Sequence, residues 1–171
     1  EVMEQYYPVL FEEYSLHEGS GGAGKQRGGF GVNYRIRLRR GNAKASMVMD
    51  HGRSGPLGAI GGENGGVNRV VIESNGKAYI PPHLSKDQNI LIEEGDTIHV
   101  STPGGGGYGN PFQRDPDLIS QDVQRGYYTS EQAFERFKVV LHEDGTPDFD
   151  KTLKLRKSLS NGSYPSMSSN S

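Results

Sequence analysis

The sequence contains no cysteine and no tryptophan. The absence of cysteine excludes disulfide bonds, thiolate nucleophiles and cysteine-ligated zinc, and it fits a reducing, cytoplasmic location. Hydrophobic residues make up only 32% of the chain, and no apolar run approaches the roughly 18 residues that a membrane span needs. No signal peptide is visible. We therefore expect a cytoplasmic protein with no membrane partner.

The net charge is also small, whereas glycine is abundant. The formal net charge is −2, which gives no electrostatic footprint for nucleic acid. Glycine accounts for 25 of the 171 residues, about 15%, where roughly 7% is usual. Glycine does not recur at every third position, so a collagen helix is excluded. Apolar runs punctuate the chain and argue against wholesale disorder.

Up to residue 102 the sequence has the pattern of an antiparallel sheet. Residues 32–40 alternate strictly between apolar and polar side chains, which predicts a half-buried strand. Asn75-Gly76 is a strong signal for a two-residue hairpin turn. We expect three hairpins, which pair 32–40 with 45–49, 69–73 with 77–80, and 89–93 with 97–102.

Helices are expected in the last third of the chain. Asp115 and Pro116 predict a helix start, and Gly126 predicts its end. Thr129 and Gln132 form a capping-box pattern for a second helix that ends at about residue 137.

A last short helix is expected over residues 151–157, capped by Asp150. The fold class is therefore α+β and β-rich, with an antiparallel sheet followed by two or three C-terminal helices. We expect residues 1–157 to form the folded portion and residues 158–171 to form a disordered tail.

Three glycine-rich segments interrupt this pattern, at residues 19–31, 52–66 and 104–109. Glycine lets the backbone approach a ligand or another segment closely, and consecutive amides in such turns bind anions. One interpretation is that the three loops converge on a phosphate, a carboxylate or an oxyanion. The other is that they are tight turns packed against neighbouring protein with nothing bound. The residues alone leave both interpretations open.

A phosphate-binding loop is the first motif to test against the glycine segments. Residues 19–25 match most of the pattern, but Gln26 stands where a Ser or Thr must ligate magnesium. Residues 27–31 are too rich in glycine for the helix that must follow. We interpret the match as false.

Few side chains in these segments are suited to chemistry. Ser20 lies outside any Gly-x-Ser-x-Gly nucleophile elbow, which favours a turn hydroxyl. Arg27 is suited to hold a carboxylate, with an internal salt bridge as the equal alternative. His51 lies with Asp50 and Arg53 at the end of an expected strand and combines a base with an acid and a cation, with a purely structural role as the alternative. The other histidines lack ligand spacing, so we predict no metal site in this chain.

Several longer motifs resemble the hydantoinase B/5-oxoprolinase family. They are EGSGGAGKQRGGFG at residues 18–31, GAIGG at 58–62, TPGGGGYGNP at 102–111, RDP at 114–116 and VVL at 139–141. The resemblance runs in order from residue 1 to about residue 157. Two positions depart from it: Gly19 stands where many members carry aspartate, and Phe137-Lys138 stands where many carry Tyr-Gly.

The resemblance implies ATP-dependent chemistry on amides or ketones. A hydantoinase A-like subunit or domain is expected to bind ATP and Mg²⁺ and to phosphorylate the substrate oxygen. The B part then handles the activated species. In hydantoinases and oxoprolinases water opens a cyclic amide, whereas in acetone and acetophenone carboxylases an activated enol attacks carbon dioxide. We expect the hydrolase; a carboxylase subunit, or a structural interface module with catalysis elsewhere, are the alternatives.

The resemblance also implies that this chain is the C-terminal portion of a longer B subunit. The start at Glu1 rather than Met agrees with this. The expected partners are the remainder of the B subunit, the A-like subunit and a small-molecule substrate. Any divalent metal is expected in the N-terminal part of the subunit, and no cofactor on this chain alone.

The activated substrate is an anion, which backbone amides hold without a particular residue type. The predicted anion-binding residues are Gly21, Gly22, Gly105 and Gly106. The candidates for catalysis are Ser20, Arg27 and His51.

Overall fold

The computed structural model describes residues 2–161. The chain divides into two compact units, the first ending at Gln113 and the second beginning at Arg114. The first unit contains a short helix, seven strands and a closing 3-10 helix. In chain order these are α1 (Val2–Tyr6), β1 (Val9–Leu16), β2 (Val32–Leu38), β3 (Ala43–Val48), β4 (Arg69–Ser74), β5 (Lys77–Tyr79), β6 (Lys86–Ile92), β7 (Thr97–Ser101) and the 3-10 helix Pro111–Gln113.

The strands form two sheets in which all pairs are antiparallel. Five strands form one sheet in the order β1-β2-β7-β4-β5, and β3 pairs with β6 in a two-stranded sheet. One apolar core includes side chains from both sheets. Its buried members are Leu38, Met47, Val70, Ile72, Ile92 and Val100.

The β4–β5 hairpin is confirmed, whereas the other two expected pairings are wrong. Asn75 (φ 48°) and Gly76 (φ 72°) form a turn with both residues left-handed, as the sequence signal requires. β2 pairs with β1 and β7 rather than with β3, and β6 pairs with β3 rather than with β7. Alternation of apolar and polar residues identifies the apolar face of a strand. It does not identify the strand with which that strand pairs.

The sequence pattern does not predict β1, because its alternation is broken. Glu12 and Glu13 are adjacent acidic residues in the strand, and the register of β1 against β2 shifts between Phe11 and Glu13. Such a bulge puts one extra residue in the strand and reverses the faces beyond it. Glu12 is paired with Arg37 of β2.

The second unit contains three helices: α2 (Pro116–Gln124), α3 (Ser130–Phe137) and α4 (Phe149–Asn161). The expected caps of the first two are confirmed. The Asp115 carboxylate accepts a hydrogen bond from the N–H of Asp117 at 3.0 Å. Thr129 and Gln132 each accept a hydrogen bond from the backbone N–H of the other, which completes the capping box.

The last helix differs from the expectation at both ends. Asp148 rather than Asp150 accepts a hydrogen bond from the N–H of Lys151, at 2.9 Å. The helix continues to Asn161, so residues 158–161 are helical rather than part of a tail. The rest of the expected tail, residues 162–171, lies outside the described residues.

The β-rich α+β fold class, with a sheet followed by C-terminal helices, is confirmed. Between residues 2 and 161 no helix has the length and apolar character needed to cross a lipid bilayer.

Lys138 occupies a backbone position that favours glycine, and this generates a prediction. It is the C-cap of α3 with φ 53° and ψ 44°. A left-handed backbone costs a residue with a Cβ atom roughly 1–2 kcal/mol. We expect Lys138→Gly to raise the free energy of unfolding by about 1 kcal/mol, measured by urea denaturation. The net gain is reduced by the greater entropy of glycine in the unfolded chain.

Lys154→Gly is the matched control, because Lys154 is an exposed residue in the interior of α4. The same substitution in a right-handed helix is expected to lower the free energy of unfolding by about 1 kcal/mol. A loss of stability in both variants would contradict the assignment of strain to Lys138.

Candidate functional site

The three glycine-rich segments, residues 19–31, 52–66 and 104–109, pack against one another, and we call them the glycine cluster. Backbone hydrogen bonds join each segment to the other two. The N–H of Gly22 donates to the carbonyl of Gly105 at 2.8 Å, and the N–H of Gly66 donates to the carbonyl of Ser20 at 2.6 Å. The N–H of Gly107 donates to the carbonyl of Glu63 at 2.8 Å. The three segments therefore meet in the fold through contacts between their backbones.

The glycine cluster requires glycine because its backbones are in direct contact. A Cβ atom added to Gly28 would overlap the carbonyl oxygen of Gly105. A Cβ atom at Gly22 would overlap the carbonyl of Glu63, and one at Gly62 would overlap the carbonyl of Gly107. Alanine, the smallest chiral residue, therefore does not fit these positions unless the segments separate.

The four glycines predicted to bind an anion lie inside the glycine cluster. The N–H of Gly105 donates to the carbonyl of Gly29 at 2.9 Å, and the N–H of Gly22 is engaged by Gly105 itself. These two N–H groups are committed to backbone carbonyls, and an anion would have to displace those carbonyls. A Cβ atom at Gly21 would overlap the backbone of Gly28, and one at Gly106 would overlap the backbone of Leu57.

Ser20 is buried, and its hydroxyl serves the backbone. The Oγ atom donates to the carbonyl of His17 at 2.7 Å and accepts from the N–H of Gly31 at 2.9 Å. These bonds hold the first segment in its turn. Neither bond runs to an imidazole or a carboxylate of the kind that activates a nucleophile. This arrangement corresponds to the turn hydroxyl that the sequence favours.

Arg27 lies on the outer part of the same segment and is partly exposed. Its guanidinium carbon lies 4.6 Å from the centroid of the Phe30 ring, and Nη1 donates to the carbonyl of Gly28 at 3.2 Å. Stacking on an aromatic face orients a planar guanidinium without using its in-plane N–H donors. The Arg27 side chain is thereby oriented beside the glycine cluster.

His51 is exposed and has a left-handed backbone, with φ 63°. Its Nδ1 atom lies 3.1 Å from the carbonyl oxygen of Ser54. A carbonyl accepts only, so this contact requires the proton on Nδ1 and leaves the Nε2 lone pair available in the neutral ring. The backbone carbonyl of His51 accepts from the N–H of Asn68 at 2.9 Å, which ties the residue to the start of β4.

A cavity of about 210 Å³ lies beside His51, and its lining is rich in basic residues. His83, Arg53 and Lys86 line it together with Asp50 as the acidic residue. The Lys86 ammonium donates to the Asp50 carboxylate at 2.7 Å and holds the pKa of Asp50 below its usual range. Because Lys86 and Asp50 balance each other, the Arg53 guanidinium gives the lining its excess of positive charge.

The sequence predicts no role for His17, but the structure places it between two glycine segments. Its Nδ1 atom lies 3.0 Å from the carbonyl oxygen of Thr102, 85 residues away in the chain. Its own backbone carbonyl accepts from Ser20. The sequence shows only that His17 precedes the first segment, and no spacing rule predicts the distant partner.

Neither a metal cluster nor a phosphate-binding loop is present in the described part of the chain. Among residues 2–161, no group of three or more His, Cys, Asp or Glu side chains is placed to hold a metal ion. No helix follows Lys25 before β2 begins at Val32, so the apparent phosphate-binding loop is a false match, as predicted.

The close packing generates a prediction for Gly28 and its neighbour. We expect Gly28→Ala to lower the free energy of unfolding by about 3 kcal/mol, because its Cβ atom would force two backbone segments apart. The measurement is urea denaturation followed by circular dichroism. Gly29→Ala is the matched control, since a Cβ atom there meets nothing within 4 Å. Its effect should stay within about 0.5 kcal/mol, and equal losses in both variants would contradict the packing account.

Known proteins resemble this chain in sequence and in fold. A protein of Pseudomonas sp. strain NS671, assigned as the B subunit of a D-/L-hydantoinase, is 31% identical over 157 residues, which covers 92% of this chain and 26% of that protein. The crystal structure of an ATP-dependent caprolactamase from Pseudomonas jessenii superimposes with a TM-score of 0.78 at 28% identity, over 91% of this chain and 27% of that one.

The fold also occurs in a nucleotide-free structure of acetone carboxylase, with a TM-score of 0.71 at 18% identity, over 92% of this chain and 26% of that one. The chain thus spans about a quarter of the length of each of these proteins. The sequence model of the Hydantoinase B/oxoprolinase family matches residues 1–111, which contain both sheets and the whole glycine cluster. The chain belongs to the Hydantoinase B/oxoprolinase family.

Proposed function

We propose that this chain is part of an ATP-dependent hydrolase subunit that opens cyclic amides of the hydantoin or 5-oxoproline type. The observation that carries the proposal is the likeness to the ATP-dependent caprolactamase, which extends over 91% of this chain with a TM-score of 0.78. Caprolactam, hydantoin and 5-oxoproline share a ring amide, so one reaction class covers the hydantoinase and the caprolactamase named above and the oxoprolinase of the family description.

The chemistry of a ring amide explains the need for ATP. Amide resonance makes the carbonyl carbon a poor electrophile, and transfer of a phosphoryl group to the carbonyl oxygen removes that resonance. ATP, held with Mg²⁺ by a hydantoinase A-like partner, would supply this phosphoryl group. Water then adds to the carbon and the ring C–N bond breaks, which gives an amine and an acyl phosphate. A second water hydrolyses the acyl phosphate and releases phosphate, so the products are a ring-opened acid, ADP and phosphate. The leaving nitrogen takes up a proton, and the first water must lose one during its attack on the carbon.

His51 is the residue that we assign to accept this proton. Its Nδ1–H is held by the carbonyl of Ser54, and the Nε2 lone pair is thereby available to a water molecule. The basic cavity beside it, which includes Arg53, would attract the phosphorylated and therefore anionic substrate.

Arg27 does not line that cavity, and we assign it separately to bind an anion at the edge of the glycine cluster. Its guanidinium lies against the Phe30 ring, and a planar guanidinium suits phosphate or carboxylate. We assign Ser20, Gly21, Gly22, Gly105 and Gly106 to the support of this surface rather than to the binding of substrate, because the hydrogen bonds of Ser20, Gly22 and Gly105 run to backbone groups.

A ketone carboxylase subunit is the alternative in the same family. The acetone carboxylase likeness, at 18% identity, concerns the fold. The hydrolase is favoured because the sequence likeness of the hydrolytic relatives is higher, at 28% and 31%.

The reaction class is tested with the complete B subunit that contains this chain and its A-like partner. We expect ATP-dependent turnover of hydantoin, 5-oxoproline or caprolactam, followed as ADP release and ring-opened product by mass spectrometry. The rate should not depend on added bicarbonate. A strict requirement for bicarbonate, with a ketone as the consumed substrate, would assign the carboxylase instead.

The site assignment is tested in the same complex. We expect His51→Ala to lower kcat about 100-fold or more, the usual effect of removing a general base. Arg27→Ala should mainly raise KM for the cyclic amide. His142→Ala is the control, because His142 is exposed and lies in the second unit. Rates at the level of the unmodified complex in both the His51 and Arg27 variants would remove these residues from the site.

A further inference from the structure

Three large apolar side chains on the glycine cluster are exposed. Leu57 is 80% exposed, Ile60 is 75% exposed and Tyr108 is 57% exposed. The residues lie on two neighbouring segments, because Ala59 forms a parallel bridge with Tyr108. We call Leu57, Ile60 and Tyr108 the cluster patch. The neighbouring glycines have no side chains that could cover it.

The backbone beneath the cluster patch is held by hydrogen bonds on both sides of Ala59. The N–H of Ala59 donates to the carbonyl of Gly107, and the N–H of Gly109 donates to the carbonyl of Ala59, both at 2.9 Å. The N–H of Tyr108 also donates to the carbonyl of Gln26 at 2.8 Å. These hydrogen bonds hold the backbone of Ala59 and Tyr108, next to the exposed apolar side chains.

Ile60 has a backbone conformation that β-branched residues rarely adopt. It forms a tight turn with Gly61, closed by a 2.9 Å hydrogen bond from the N–H of Gly62 to the carbonyl of Ala59. Both turn residues are left-handed, with φ 50° and 84°. A β-branched residue is a genuine outlier in this region, and Asn, Asp or Gly is preferred there.

Another turn of the same chain has the preferred residue at this position. Asn75 and Gly76 form a turn with φ 48° and 72°, and there the strained position holds Asn. At Ile60 the chain accepts both backbone strain and the exposure of a large apolar side chain. Neither is compensated by packing within the first unit.

We infer that the cluster patch is the docking surface for the other three quarters of the hydantoinase B-type subunit. This rests on the proposed function, in which the chain is one part of such a subunit. In the relatives, the matching segment is covalently continuous with a remainder that accounts for about 73–74% of the protein. Burial of Leu57, Ile60 and Tyr108 against an apolar part of that remainder compensates for the strain at Ile60.

The size of the cluster patch favours this occupant over a second copy of the chain. Three side chains of this kind bury at most roughly 600 Å² on one partner, taking about 200 Å² for each. A stable interface between separate proteins buries about 800 Å² on each partner. A contact within one polypeptide needs less area because the linkage supplies a high effective concentration.

The test uses single cysteine variants of the complete subunit, since this chain contributes no cysteine of its own. Leu57→Cys probes the cluster patch. Glu94→Cys is the reference, because Glu94 is an exposed charged residue in the turn between β6 and β7. The measurement is the rate of maleimide labelling of each peptide by mass spectrometry. We expect Leu57→Cys to react at least tenfold more slowly than Glu94→Cys, and equal rates would overturn the inference.

The occupant is identified in the same assay. Protection of Leu57→Cys should persist through a tenfold dilution and without the A-like partner. Protection that is lost on dilution would assign the cluster patch to a second copy, and protection that requires the partner would assign it to the partner; either result overturns the inference. An active complex in which Leu57→Cys labels rapidly would overturn this inference alone and leave the proposed hydrolase function standing.

A second variant separates docking from local misfolding. Ile60→Asn places a preferred residue in the turn, so the turn remains formed while the apolar side chain is lost. Combined with Leu57→Cys, it should increase the labelling rate at least threefold. An unchanged rate would show that Ile60 has no part in the contact.

Discussion

The first unit depends on backbone segments that lie closer together than a Cβ atom allows. Gly28 against Gly105 is the clearest case, since no other residue fits without separating the segments. This explains why a chain with only 32% hydrophobic residues carries 25 glycines. Glycine loses much entropy on folding, and here the loss is offset by backbone hydrogen bonds between segments distant in sequence. The apolar core between the two sheets and the glycine cluster are thus two different means of stabilising one unit.

The close packing of these backbones also affects where an anion can bind. Loops rich in glycine suggest free amides for an anion, yet the N–H groups of Gly22 and Gly105 donate to other loops. An anion would have to displace the carbonyl partners of these two amides, which is why we propose that a side chain at the edge of the cluster recognises it. Arg27, beside the Phe30 ring, is that side chain in the proposal, whereas the Ser20 hydroxyl donates to one backbone group and accepts from another. The hydrogen bonds of Ser20, Gly22 and Gly105 thus favour a supporting role for this part of the glycine cluster.

The sequence predicted local features well and distant pairings poorly. The Asn75-Gly76 turn, the Asp115 cap and the capping box depend on residues two or three positions apart, and all are present. The partner of β3 depends on which apolar faces meet across forty residues, and alternation carries no such information. The site shows the same division: glycine content predicted close approach, but the contact of His17 with Thr102 spans 85 residues and leaves no local signal.

Backbone conformation also bears on the two positions that depart from the family pattern. Gly19 has φ 68° and Lys138 has φ 53°, so both positions are left-handed. Aspartate, expected at the first position from the family resemblance, tolerates this region, and glycine does so without cost. At the second position glycine is the natural residue, and lysine adds strain at the end of a helix in the second unit. The backbone thus favours the departure at residue 19, whereas the lysine at residue 138 stands against the backbone preference.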